Sequence, residues 1–270
     1  MISKICHQTA KSNDLPPLIK TCVTSLQRTN LDWDCRFYDD EDWKKIITSD
    51  FIFSWENLSR YPTGIQRSDI FRCAALYELG GCYADVDMIG VRSIDSLIAA
   101  ACELGLVDGD TELMLTIDHP IHSRKYFGRE KIYMNNFMLA KPGARFLEIY
   151  LKEMKKVVAQ GTCESRAPVY TTGPVAMTRL IHEFGGLEKL KIAVVPYFWI
   201  NPIPDMSLDF PEKPLYQQMI EDGSWRSEIA PYFIHCWWHS YINVETESHY
   251  GKLFDHLPVC QTASSIAGTF

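Results

Sequence analysis

The chain lacks most of the features that assign a protein at sight. Its nine cysteines include no C-x-x-C pair, and their number is odd. That argues against a zinc site and against a disulfide framework. Cys73, Cys82 and Cys236 sit in apolar runs, where reduced, buried thiols act as small hydrophobes. No stretch of about 20 apolar residues occurs, so no membrane span is expected. No basic segment followed by an apolar one opens the chain, so no leader is expected. Positive charge is short as well: 27 Lys and Arg stand against 34 Asp and Glu, a formal charge of −7. This excludes nucleic acid as the main partner, because phosphate backbones need clustered cations. A local basic patch from Arg124 to Lys131 remains and suits an anionic acceptor. Repeats and low-complexity tracts are missing too. These absences imply a cytoplasmic protein, at most peripheral at the inner face of the membrane.

What is present is ordinary for a globular domain. The 270 residues are 46% hydrophobic and 23% charged, enough for a substantial core. Strand and helix signals alternate. Ser3 to Cys6 reads as a short buried strand, and Pro17 suits the first turn of a helix running from Leu18 to about Arg28. Cys35 to Tyr38 reads as a strand, and the acids from Asp39 to Asp42 suit a helix N-terminus. A helix is expected from about Thr63 to Leu79, with Ile65, Asp69, Arg72, Leu76 and Leu79 at 3- and 4-residue spacings. Gly80-Gly81 ends it. Further strands are expected at Cys82 to Ala84, Glu112 to Ile117, Asn136 to Ala140 and Lys191 to Pro196. Further helices are expected at Arg145 to Val158 and Thr172 to Phe184, and a loop from Asn201 to Pro214. This alternation implies one α/β domain, over residues 1–258, with a flexible polar tail over 259–270.

The most informative segment runs from Arg67-Ser68-Asp69-Ile70-Phe71-Arg72 through Gly80-Gly81-Cys82-Tyr83-Ala84 to Asp85-Val86-Asp87. Two carboxylates one residue apart at a strand end present oxygens to one hard cation. Such a cation offsets charge growing on a diphosphate leaving group. The tripeptide alone also describes a solvated turn. Asp69 and Arg72, at i and i+3, share a helical face, which also describes a surface ion pair worth little.

This stretch closely resembles glycosyltransferase family 32, the sugar transferases with a DXD motif. That group includes initiating mannosyltransferases and bacterial capsule and lipooligosaccharide transferases, and the catalytic domains of clostridial glucosylating toxins are related to it. The resemblance covers roughly Ile2 to Tyr241. It implies a GT-A type nucleotide-sugar-binding domain with a central mixed, mostly parallel sheet flanked by helices. It implies Mn²⁺ or Mg²⁺ as cofactor and a UDP- or GDP-linked sugar as donor. Asp69 and Arg72 match the family's donor-contacting Asp-x-x-Arg pair. Asp85 matches the carboxylate shared between sugar, ribose and metal, and Asp87 the direct metal ligand. The opening Lys4-Ile5-Cys6-His7-Gln8-Thr9 resembles the strand end beside the nucleotide base, which marks His7 and Gln8 for donor contact; His7 also reads as a satisfied structural histidine. Asn135 matches an Asn near the donor sugar, and Ala144-Arg145 replaces the usual His-Pro after the following glycine. Thr172-Gly173-Pro174 matches an element opening a helix, either as a donor contact or as plain capping chemistry. In Ile234-His235-Cys236-Trp237-Trp238-His239-Ser240-Tyr241, His235 matches a metal or diphosphate contact, and Tyr241 replaces the usual Trp. His235 and His239, four apart, would also suit a zinc pair, without the Glu of a zincin helix. Trp237 and Trp238 suit core packing or sugar stacking. Asp118 and His119 follow a strand and suit either an acceptor-facing position or a turn.

The reaction this implies is retaining transfer of a hexose to a saccharide acceptor, in bacterial surface-polysaccharide or lipooligosaccharide synthesis, with a host protein as the alternative acceptor. The carboxylates in the site are engaged with metal and sugar, so front-face attack, with the leaving diphosphate taking the acceptor's proton, is expected over a carboxylate nucleophile. Two readings compete. An aspartyl-type phosphotransferase or phosphatase would use Asp85 and Asp87, but Ile89 fills the slot where it needs its own partner residue. A silent sugar-nucleotide-binding module is opposed by the intact Asp69, Arg72, Asp85 and Asp87.

Overall fold

The computed structural model describes residues 2–47, 52–163, 167–238 and 250–257, without the side chains of 45, 46 and 251. In chain order, strand β1 (Ile5–Thr9) leads to helix α1 (Pro17–Thr29), β2 (Asp34–Tyr38), α2 (Asp40–Ile46), α3 (Trp55–Ser59) and α4 (Gly64–Leu79). Then come β3 (Gly81–Ala84), β4 (Met88–Gly90), α5 (Ile94–Glu103), β5 (Leu113–Ile117), α6 (Pro120–Phe127) and β6 (Tyr133–Ala140). After these follow α7 (Arg145–Ala159), α8 (Pro168–Thr171), α9 (Pro174–Glu183), β7 (Ile192–Val195) and β8 (Phe233–His235).

Six strands form one sheet in the order β2-β1-β3-β6-β5-β7. Parallel pairs join β1 to β2, β1 to β3 and β5 to β7; both neighbours of β6 are antiparallel to it. Five strands therefore share one direction and β6 alone is reversed. This is the mixed, mostly parallel α/β sheet expected, with helices on both faces. Side-chain alternation along each strand divides the core accordingly. Tyr83, Leu115 and Met138 pack with Phe71, Leu76, Phe146, Tyr150 and Leu180 of α4, α7 and α9. Cys82, Met114, Phe137 and Leu139 pack on the other face with Leu97 and Ala101 of α5. Cys73, Cys82 and Cys236 are buried as expected, and every cysteine among the described residues is a free thiol.

Several boundaries differ from the sequence reading, each for a local reason. β1 starts at Ile5 and runs through His7, Gln8 and Thr9, because parallel pairing with β2 continues to Tyr38. The tertiary ladder overrides the polar composition there. β6 begins at Tyr133, three residues before the expected start. On α4, the residues at 3- and 4-residue spacings do not share one buried face: Ile65 is 37% exposed, while Gln66, Asp69, Arg72 and Ala75 are buried. Only Gly64 and Ile65 at its start are exposed, and buried polar side chains alternate with apolar ones along the helix, so no simple apolar stripe exists. Its ends follow the expected chemistry. Thr63 accepts from Gln66 N, and the Gln66 side chain returns to Thr63 N, a capping box. At the other end Gly80 has φ 66° and Gly81 φ 99°. A β-carbon on Gly81 would lie 2.2 Å from the Ile5 carbonyl oxygen. Only glycine allows the chain to leave α4 and enter β3 this close to β1.

The turn Asp85-Val86-Asp87 follows β3 directly, closed by Met88 N donating to Asp85 O at 3.1 Å. β4 then pairs antiparallel with β8, Met88 opposite His235. This two-stranded sheet carries the C-terminal part of the chain back to the turn. No helix among the described residues is long and apolar enough to cross a membrane.

Candidate metal and donor site

Asp69 and Arg72 sit on the buried face of α4, 5% and 6% exposed. The ion pair worth little at a surface is here enclosed, and its partners are fixed. Asp69 Oδ1 accepts from Asn135 Nδ2 and Oδ2 accepts from Thr172 Oγ, both at 2.8 Å. Arg72 Nη1 donates to the Asn135 carbonyl at 2.8 Å and lies 3.0 Å from Asp85 Oδ1; its Nη2 lies 3.5 Å from Asp69 Oδ1. The guanidinium also covers the Tyr83 ring, 4.5 Å from its centroid. Burial pushes the Asp69 carboxyl up, against the pull of Arg72 and of the Thr172 and Asn135 hydrogen bonds.

Asp85 is the most open of the group, its side chain 25% exposed. Its Oδ1 accepts from Tyr83 Oη at 2.8 Å. Tyr83 precedes Asp85 by two residues, so strand alternation puts both on one face. Burial and, secondarily, Asp87 hold the Asp85 carboxyl above its usual range, against Arg72. Asp87 is 5% exposed. Its Oδ2 accepts from Trp238 N at 2.7 Å and lies 3.2 Å from His235 Nε2. Burial pushes Asp87 up, but the His235 charge and these hydrogen bonds outweigh it and the carboxyl ends below its usual value. His235 shifts the opposite way: burial lowers it, and Asp87 more than offsets this.

Ligand atoms of Asp85, Asp87 and His235 all lie within 4.8 Å of one another. Two carboxylates and one imidazole form a donor set suited to Mn²⁺. A buried atom speaks to the fit. Asn136 Nδ2 sits 3.1 Å from His235 Nδ1 and 2.8 Å from Asn201 Oδ1, while Asn136 Oδ1 is buried with no partner. A histidine that ligates through Nε2 carries its proton on Nδ1 and needs an acceptor there. Here it is the Asn136 amide N–H that faces Nδ1; the partnerless amide oxygen becomes that acceptor when the Asn136 and Asn201 amides turn over together. We expect Asn136→Leu to weaken Mn²⁺ binding by about 10–100-fold, read by electron paramagnetic resonance titration. Parent-like affinity in a folded variant would release Asn136 from this role.

The other sequence candidates divide. Gln8 reaches the site, donating from Nε2 to the Asp85 carbonyl at 3.3 Å. His7 does not. It is fully buried, with Nδ1 3.0 Å from Tyr38 Oη and Nε2 3.0 Å from the Gly80 carbonyl. Burial lowers its pKa to about 4, so it stays neutral, bonded to the Gly80 turn. Thr172 is not the helix cap. Gly173 takes the N-cap position of α9, and the Thr172 hydroxyl, fully buried, braces Asp69 instead. A β-carbon on Gly173 would meet Val169 Cα at 2.8 Å, so this glycine is fixed by packing. Asn135 likewise braces Asp69. His239, Ser240 and Tyr241, and the tail 259–270, lie outside the described residues. Sequence reading passed over Ser68, which takes Arg72 Nη2 at 3.2 Å, and Tyr83, Asn136 and Asn201. Tyr83 alone had a signal, its two-residue spacing from Asp85. A shallow hollow of about 300 Å³ between Trp43, Trp55 and Arg67 lies apart from these groups.

Comparison with known proteins adds the following. Residues 16–103 match the family model described as glycosyltransferase sugar-binding region containing DXD motif. Similar curated proteins include inositol phosphoceramide mannosyltransferase 3 of Schizosaccharomyces pombe, 32% identical over 97 residues, which are 36% of this chain and 27% of that protein. Another is mannosyl phosphorylinositol ceramide synthase SUR1 of Saccharomyces cerevisiae, 24% identical over 181 residues, 63% of this chain and 47% of that one. The chain thus spans less than half the length of these relatives. Among solved structures, PaToxG glycosyltransferase overlays with a TM-score of 0.47 at 12% identity, covering 95% of this chain and 86% of that one. Mouse xyloside xylosyltransferase 1 overlays with 0.47 at 11% identity, covering 87% and 97%.

Proposed function

We infer, from the match of residues 16–103 to the sugar-binding region of DXD glycosyltransferases, that the protein is a metal-dependent retaining hexosyltransferase using a nucleoside-diphosphate sugar. The observation that carries this reading is the convergence of Asp85, Asp87 and His235 on one point beside the buried Asp69–Arg72 pair. A divalent cation held by these three would supply a Lewis acid for the diphosphate leaving group. The protein's own groups do the rest. Arg72 adds a fixed positive charge next to Asp85. Asp69, held rigid by Asn135 and Thr172, suits hydrogen bonding to sugar hydroxyls. Such pre-organised charge acts without reorganisation cost during the reaction. No further carboxylate stands free among these residues, which favours front-face attack by the acceptor, its proton leaving with the diphosphate.

The yeast relatives are named for mannosyl transfer to inositol phosphoceramide. GDP-mannose is therefore the first donor to try and a glycolipid the first acceptor, ahead of a bacterial polysaccharide. The same reading places the protein in the cytoplasm or peripherally on a membrane. The test is a panel of GDP-mannose, UDP-glucose, UDP-galactose and their N-acetyl forms with Mn²⁺, followed by release of nucleoside diphosphate. Selective cleavage of one donor, abolished by chelator, is expected. A folded sample that cleaves none of them would overturn the reading.

A further inference from the structure

Asp118 lies between the end of β5 and His119, the N-cap of α6, and the proposed donor chemistry does not use it. Its side chain is fully enclosed. Oδ1 accepts from the His119 N–H at 2.8 Å; Oδ2 accepts from Ser123 Oγ at 3.0 Å and from His122 Nδ1 at 2.6 Å. With Nδ1 donating to this carboxylate, the imidazole presents Nε2 as a hydrogen-bond acceptor. Nε2 has no partner among the described residues and is not sealed from solvent, although the His122 side chain is only 9% exposed. A carboxylate thus fixes one edge of a nearly buried ring and leaves the other edge without a hydrogen-bond partner among the described residues. His119, the neighbour singled out in the sequence, offers no such edge: Nδ1 accepts from Ile121 N and Nε2 lies 3.2 Å from Tyr216 Oη.

The surroundings of His122 are aromatic. Its ring lies 4.4 Å from the Trp237 ring, which lies 4.2 Å from that of His235. One indole therefore joins His122 to the candidate metal ligands. On its other side His122 meets Tyr126 at 4.6 Å and Phe127 at 5.7 Å, and Phe127 meets Tyr170 at 6.4 Å. Tyr126 and Tyr170 are 47% and 56% exposed. Tyr170 stands two residues before Thr172, the brace of Asp69. A chain of ring contacts thus runs from Tyr170 through Phe127, His122 and Trp237 to His235, with His122 in its middle.

Exposed aromatic faces around a single fixed acceptor atom suit a polyhydroxylated ring, whose C–H face stacks while a hydroxyl donates. We propose that Asp118 and His122 form the acceptor subsite: Asp118 orients His122, and His122 Nε2 receives a hydrogen bond from a hydroxyl of an acceptor sugar or cyclitol stacked against Tyr126, Phe127 and Tyr170. The assignment rests on the transferase reading for the word acceptor, though the ring-binding chemistry stands without it.

The test is His122→Asn. The asparagine amide N–H stands where Nδ1–H stands now, so Asp118 keeps a donor and α6 its anchor; Nε2 is removed with the rest of the ring. Saturation-transfer NMR with the methyl glycosides of mannose, glucose and galactose, and with myo-inositol, is run in the presence of Mn²⁺ and nucleoside diphosphate. The parent is expected to bind at least one ring, and the variant to bind it about tenfold more weakly, the worth of one buried hydrogen bond. Where transfer is measurable, the acceptor KM rises by the same factor and the donor KM holds. A helix anchor alone would move thermal stability and neither quantity. A parent that binds none of the four rings, or a variant with the parent's affinity, overturns the proposal. Ring binding lost in the variant of a protein that cleaves no donor still supports the subsite, while it sinks the transferase reading.

Discussion

Asp87→Asn is expected to remove metal-dependent donor cleavage while leaving the protein folded. The substitution is nearly isosteric, and the amide oxygen can still accept from Trp238 N, the bond at 2.7 Å that anchors the returning segment. What disappears is the negative charge facing His235 and the cation. Donor cleavage should fall by at least about 10²–10³-fold, the range for removing one pre-organised electrostatic group from a reacting centre. Mn²⁺ affinity should fall with it. Cleavage of the preferred donor, Mn²⁺ titration and a thermal melt on the same samples check this. Parent-like cleavage with parent-like Mn²⁺ affinity would take Asp87 out of the metal site.

Arg72→Leu is expected to act first on stability. Arg72 is the shared counter-charge of two carboxylates, the partly open Asp85 at 3.0 Å and the enclosed Asp69 at 3.5 Å, and it also holds the Asn135 carbonyl. Leucine fills much of the volume but leaves both carboxylates without a cation. Breaking a buried pair by removing one partner costs about 3–5 kcal/mol, a large share of the stability of an ordinary domain. Urea unfolding measures the loss, and a cost under about 1 kcal/mol would show that solvent reaches these carboxylates freely. Arg72→Lys separates charge from geometry. It keeps a cation near Asp85 but cannot also bridge to the Asn135 carbonyl and Ser68, so it should recover part of the stability.

These two residues were legible in the sequence because local rules placed them. A capped helix, a Gly-Gly stop and a short apolar strand fix the positions of Asp69, Arg72, Asp85 and Asp87 within a few dozen residues. The α/β class was legible for the same reason, from alternating periodicities. What could not be read depends on pairings between distant segments. Nothing local says that Met88 pairs with His235, so the third candidate ligand rested on resemblance alone. Nothing local distinguishes Asn135 from Asn136. They point to opposite faces of one strand, and only the three-dimensional arrangement assigns Asp69 to one and His235 to the other. His122 was passed over for a related reason. It lies inside a helix of mixed composition, and its significance comes from the Asp118 side chain one turn away and from Trp237, far along the chain.

The reversed strand β6 has one further property. Leu115 pairs with Met138 but the next residue, Thr116, pairs with Met134. Asn135, Asn136 and Phe137 therefore have no counterpart on β5, and the carbonyls of the two asparagines turn to Arg72 Nη1 and Asp85 N instead. The ladder is complete on either side of this interruption. Side chains at 135 and 136 can consequently change without asking the sheet to re-register, and the scaffold is insulated from drift in the chemistry it carries.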